Sequence, residues 1–110
     1  LYGEFAKAGY EVVKDRASLK ASKSDKVLGI FDSSHLPYSV DRDNTPALAE
    51  KVPTLAEMTR IAIDKLKGSK EGFLLQIEGG KVDHAGHGTD VAGQVHDQLA
   101  FEEAVRVAIE

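Results

Sequence analysis

Cysteine is absent from this chain of 110 residues, so no disulfide braces it and no thiolate binds a metal in it. That absence does not fix a compartment, because exported proteins can also lack cysteine. Long apolar runs are missing as well. None approaches the roughly 18 residues that take a helix across a bilayer. Basic clusters are lacking: 14 Lys and Arg lie among 18 Asp and Glu, giving a net charge of −4. Nothing therefore suggests the concentrated positive surface of a nucleic-acid binder. No internal repeat and no low-complexity tract interrupts the chain. An initiator Met and a signal peptide are also absent at Leu1, and Glu110 falls within a helical pattern. The chain is expected to be a piece of a longer protein, with any targeting signal outside it.

What is present has a globular balance, 42% hydrophobic and 29% charged. Its length suits one domain, residues 1–110, or part of a larger one. Residues 1–8 (LYGEFAKA) read as a helix stopped by Gly9. YEVV at 10–13 is a short strand, and Asp15 is placed to cap a helix over RASLKA. KVLGIF at 26–31 is nearly continuous in apolar residues, as for a strand covered on both faces. Residues 32–53 show no period and are expected to form one long loop, a feature that in a compact domain usually carries function or marks an insertion.

Thr54-Leu-Ala-Glu57 is a capping-box pattern, and Leu55, Met58, Ile61, Ala62 and Leu66 follow at helical spacing. FLLQI at 73–77 reads as a third strand. Thr89 or Asp90 is placed to cap a last helix, whose apolar face is expected to be Val91, Val95, Leu99, Ala104, Val105 and Ala108. Strands alternating with helices predict an α/β layered fold with about three largely parallel strands and flanking helices. In such sheets ligands bind beyond the carboxyl ends of the strands.

FLLQIEGGKVDHAGHGTD, residues 73–90, puts a dense set of ionisable groups at such an end. Buried charge needs a partner, and a cation is the simplest one. Carboxylate and imidazole are both zinc ligands. Asp83 and His87 lie four apart, so one helical turn puts both on one face. Glu78 is set back from that pair and, with oxygen donors only, suits a harder ion such as Mg²⁺. Gly79, Gly80, Gly86 and Gly88 permit tight turns and close approach. On spacing alone, a solvated glycine-rich turn that caps the next helix competes with the metal reading. A dinucleotide loop is rejected, because the G-x-G-x-x-G spacing is missing and Glu78 would repel a pyrophosphate. The polar cluster His35, Tyr38, Asp41, Arg42 and Asp43 is read as an exposed loop with local Asp–Arg pairing. His96 is read as a surface residue, and Glu102, Glu103 and Arg106 as a solvated helix face.

FLLQIEGGKVDHAGHGTD followed by QLAFEEAV, with LGIF and PYSVDRD upstream, resembles the alkaline phosphatases from about residue 26 onward. E-G-G-x-x-D-H-x-x-H combined with the L-A-F-E-E-A-V helix is far narrower than the histidine spacing. The resemblance implies a three-layer α/β sandwich, of which this chain is a fragment. It implies an exported enzyme, periplasmic or extracellular, that hydrolyses phosphate monoesters with two Zn²⁺ and one Mg²⁺, as a homodimer when intact. It implies that Glu78 binds the magnesium, that Asp83 and His87 bind one zinc, and that His84 modulates the site near the phosphate.

The family nucleophile is a serine in an Asp-Ser-Ala/Ser context far upstream. FDSSHLP at 31–37 imitates that string, but its place in the alignment is wrong, so Ser33 and Ser34 are not expected to be the nucleophile. The nucleophile, the phosphate-clamping arginine, the other magnesium ligands, the second zinc's ligands and the last histidine of the first zinc have no counterpart in the chain. In the complete enzyme two zinc ions about 4 Å apart hold the attacking and leaving oxygens of an in-line displacement. The chain alone is therefore expected to be inactive. Two other readings remain open: a sister phosphoesterase or phosphomutase, and an inert unit of packing or oligomerisation whose unpaired sheet edges attract partners.

Overall fold

The computed structural model describes residues 1–110. α1 (Tyr2–Lys7) forms where expected, and Gly9 follows it with a φ of +86°, a left-handed turn that suits glycine. β1 (Glu11–Val13) comes next. The Asp15 carboxylate then accepts the Ser18 N–H at 2.7 Å and caps α2 (Arg16–Ala21). β2 (Val27–Gly29) lies parallel to β1, with Glu11 opposite Val27 and Val13 opposite Gly29. A parallel pair needs a crossover, and α2 supplies it.

Residues 32–53 are not one long loop. They contain α3 (Ser39–Asn44) and α4 (Pro46–Lys51). Local pattern does not announce α3, because its cap comes from elsewhere: the Asp97 carboxylate accepts both the backbone N–H and the hydroxyl of Ser39, the latter at 2.8 Å. Pro46 starts α4, where its missing N–H costs nothing. Nor is the cluster at 35–43 simply solvated. Arg42 does pair with Asp43 at 2.5 Å, as read from the sequence. Its guanidinium is nonetheless largely buried, and it also donates to the carbonyls of Val52 and Ala49.

α5 (Leu55–Leu66) begins with the predicted capping box, both halves of which are made between Thr54 and Glu57. Val13, Leu19, Phe31 and Val52 form the buried core, with Val27, Leu36, Met58 and Ile61 packed around it. Arg16 makes a forked bond to Glu57 at 2.6 and 2.8 Å, and Lys20 adds a contact at 2.6 Å. Burial pushes the Glu57 carboxyl up, but the hydrogen bonds from Arg16, Lys20 and the Thr54 N–H outweigh it and bring it down to about 2.

The third strand does not form. The only sheet is β1–β2, and residues 73–78 make no backbone–backbone hydrogen bond. Leu74 is 95% exposed. A strand needs a neighbour, and none of the 110 residues lies alongside FLLQI to pair with it. The chain then enters α6 (Gly80–His87), a turn in which Thr89 takes a φ of +51°, and α7 (Val91–Ile109). Asp90, not Thr89, caps α7 by accepting the Gly93 N–H at 2.9 Å.

The apolar face expected on α7 is also corrected. Val91, Val95, Leu99, Val105 and Ala108 are exposed; of the expected face only Ala104 is buried, and the other buried positions are Gly93 and Asp97. Gly93 is buried where a Cβ would come within 2.9 Å of the Asp90 carboxylate that caps the helix, and within 3.4 Å of the Ala85 methyl of α6. Asp97 turns inward because it caps α3. His96, Glu102, Glu103 and Arg106 are exposed as read from the sequence. The accessible surface is 7473 Å². A self-contained domain of this mass exposes about 6,000 Å².

Candidate functional site

Two contacts build the start of α6. Phe101 of α7 lies against the backbone of Gly79, where a Cβ would come within 2.8 Å of its ring. Only glycine admits that approach, so the E-G-G turn and the L-A-F segment are two sides of one contact. Ala85 is completely buried, against α7. Residues two positions from it on a helix point away by about 200°. Asp83 and His87 therefore leave on the outer face, and both are exposed. Lys81 and His84, three apart, share another face and line a cavity of about 380 Å³. Glu78, Gly79, Gly80, His35, Ser39, Arg42, Asp97 and Phe101 are also in its lining.

The predicted site residues thus fall into two groups. Asp83 Oδ1 and His87 Nε2 are 3.4 Å apart, and neither residue lines the cavity. Glu78 and His84 do line it. The spacing of the first group fits zinc. Donor atoms about 2.0–2.1 Å from a tetrahedral ion lie about 3.3 Å from each other. No third His, Asp or Glu converges on the pair to complete a protein-only ligand set. Glu78 is exposed at the cavity edge and carries no ion pair, so its oxygens are available to a hard cation.

Sequence reasoning missed the part played by residues 35–39. The His35 and His84 rings meet edge to face, 4.4 Å between centroids and 90° between planes. Lys81 Nζ stands 3.9 Å above the Tyr38 ring and 3.5 Å from His84 Nδ1. The signal available was the grouping of His35 and Tyr38 in HLPYSVDRD, which pattern alone could not attach to α6. Ser33 and Ser34 sit in an exposed turn whose backbone N–H groups donate to the Asp32 carboxylate, and the hydrogen bonds of Ser34 and Ser33 hold that carboxyl below its usual range. The Ser33 hydroxyl is also directed to Asp32, 3.4 Å away, and no imidazole accepts from either serine.

An α/β chain that gathers carboxylate, imidazole and ammonium groups around a two-glycine turn and the helix behind it defines the class: an α/β fold with a polar, ion-accepting site. The family model for alkaline phosphatase matches residues 1–110, including the first 25 residues, outside the motif reading. The chain belongs to the alkaline phosphatase family. It is 40% identical over 110 residues to alkaline phosphatase 3 of Bacillus subtilis (strain 168), covering all of this chain and 22% of that relative. The crystal structure of Thermus thermophilus alkaline phosphatase is similar at a TM-score of 0.89 and 37% identity, over 98% of this chain and 22% of that one. A cold-active alkaline phosphatase from a psychrophilic Shewanella gives 0.84 and 30%, over 97% and 25%. The chain thus spans about a fifth to a quarter of the length of these relatives.

Proposed function

We propose that this chain is the segment of a phosphate monoester hydrolase that supplies ligands for one zinc and one magnesium. The observation that carries the reading is the Asp83–His87 pair, 3.4 Å apart and turned outward, in a chain of the alkaline phosphatase family. Asp83 and His87 would hold zinc, and Glu78 would hold magnesium. When bound, such ions supply positive charge to the phosphate and to the oxygens that attack and leave.

The chain's own residues do the rest. α6 fixes Asp83 and His87 on one face, with Ala85 locked against α7 behind them. The Phe101–Gly79 contact fixes the turn that carries Glu78. His84 and Lys81 present an imidazole and an ammonium to a cavity that the carboxylates of Glu78, Asp43 and Asp97 also line. The serine nucleophile and the second zinc's ligands lie outside this chain. A catalytic zinc usually takes three protein ligands and this chain offers two, so the 110 residues alone are inactive. The complete enzyme acts outside the cytoplasm as a homodimer, in keeping with the family. No helix in this chain is long and apolar enough to cross a membrane.

The test uses a complete phosphatase containing this segment. Asp83→Ala and His87→Ala should each remove about one zinc per subunit and lower p-nitrophenyl phosphate turnover at least about 100-fold, the loss seen when a group stabilising transition-state charge is removed. Glu78→Gln should weaken magnesium activation and leave zinc content unchanged. Full zinc stoichiometry in both alanine variants overturns the zinc assignment. Zinc loss in Glu78→Gln, with the magnesium response kept, reverses the two roles.

A further inference from the structure

We propose that His35 is a positioning residue for His84, holding that imidazole toward the cavity so that it meets the phosphate of the substrate. The proposal rests on the phosphatase reading and adds a residue that the metal motif does not contain.

The argument begins with the segment around His35, which is fixed at four points. Asp32 accepts the N–H groups of Ser33 and Ser34 at 2.7 and 3.3 Å, closing a turn before His35. Leu36 packs on the Val13–Leu19–Phe31–Val52 core. Tyr38 lies beneath the Lys81 ammonium at 3.9 Å. Ser39 is bonded to the buried Asp97 carboxylate. An exposed ring on so pinned a backbone is a rigid support. His35 offers it to His84, 4.4 Å away at a right angle, the edge-to-face arrangement that aromatic rings prefer.

His84 needs such a support. It is only half-buried, and its own helix faces α7 through Ala85 rather than through the imidazole. Lys81 Nζ lies 3.5 Å from its Nδ1, and the His35 ring meets it at a right angle. Tyr38 holds the lysine in turn. His35 and Tyr38 of HLPYSVDRD thus contact His84 and Lys81, the two polar residues of α6 that line the cavity. Without His35 the His84 side chain regains rotamer freedom, and ordering it falls to the substrate. The expected consequence is weaker phosphate binding with little change in the chemical step.

The experiment uses a complete phosphatase containing this segment, with inorganic phosphate as the probe. His35→Ala should raise the phosphate inhibition constant and KM about three- to tenfold, the range an edge-to-face ring pair supports, with kcat changed less than about twofold. His35→Phe, which keeps a ring at the position, should restore most of the loss. His35→Ala should add nothing in a His84→Ala background. The imidazole C–H resonances of His84 should shift in His35→Ala and stay near their wild-type positions in His35→Phe, reporting the ring contact independently of turnover. Equal effects of His35→Ala in the wild-type and His84→Ala backgrounds overturn the proposal, as does failure of phenylalanine to rescue. An unchanged phosphate constant in His84→Ala, with turnover intact, also overturns it and leaves the phosphatase reading standing. Absence of turnover in the parent enzyme strikes at that reading instead.

Discussion

The first 66 residues and the last 38 solve the burial problem in opposite ways. Around β1, β2, α2 and α5, large apolar side chains cover one another: Val52 is 2% exposed and Val13 3%. From residue 73 onward many large apolar residues face solvent, Leu74 at 95% and Leu99 at 57%, while the fully buried positions are alanine, glycine and aspartate. The second region is held by close backbone approach and polar bonds: Phe101 on Gly79, Ala85 beside Gly93, Asp97 on Ser39. It is also the region that carries Glu78, Asp83, His84 and His87. A region built on small-residue contacts keeps its backbone geometry where a ligand must fit.

The comparison breaks most sharply at Gly79. Gly79→Ala puts a methyl 2.8 Å from the Phe101 ring, which must move or push the turn aside. Overpacking of this kind costs about 1–3 kcal/mol, read as a fall in the denaturation midpoint. Phe101→Ala in the same chain should recover part of the Gly79→Ala loss. Strict additivity of the two substitutions would show that the contact does not hold the second region together.

A smaller effect sharpens the first region. Glu57 titrates near 2 in the folded chain, below its ordinary 4.5. A carboxyl whose folded pKa is depressed contributes stability that is present above the unfolded value and is lost as pH falls through the folded one. Denaturation midpoints should therefore drop between about pH 5 and pH 2. The share owed to Glu57 is about 1–2 kcal/mol after solvent screening of the half-exposed Lys20. Glu57→Gln should be less stable at pH 7 and lose less on acidification. A variant with the same pH profile as the parent would remove Glu57 from the account.

The smallest expected effect lies on the outer face of α7. Leu99→Gln should change the stability of the 110-residue chain by less than about 0.5 kcal/mol, because the side chain is already in water. The same change in a complete phosphatase should cost more if that face is covered there. Comparing the two midpoints measures the covering directly.

Much of the local structure was legible in the residues. Asp15, the Thr54–Glu57 box and Asp90 cap helices because a side chain three residues from an unpaired N–H reaches it whatever the rest of the fold does. Asp83 and His87 share a face because they are four apart on a helix. The sequence set Glu78 apart from the Asp83–His87 pair, and the structure puts Glu78 and His84 in one cavity lining, while their relation to His35 and Tyr38 was not visible.

The sequence by itself determined the helix starts, the parallel β1–β2 unit and the shared helix face of Asp83 and His87, since each follows from backbone periodicity or from neighbours a few residues apart. Tertiary structure alone decided three other things. FLLQI forms no strand, because a ladder requires a partner from distant chain. The apolar stripe of α7, Ala104 excepted, faces out, because Asp97 turns inward to bond Ser39 of α3 and Gly93 sits where a Cβ would meet the Asp90 carboxylate. The segment at 35–39 belongs to the site, because Asp97, 58 residues away, caps α3 and brings His35 and Tyr38 against His84 and Lys81. Contacts across such separations depend on how the elements pack in space, which no local pattern encodes.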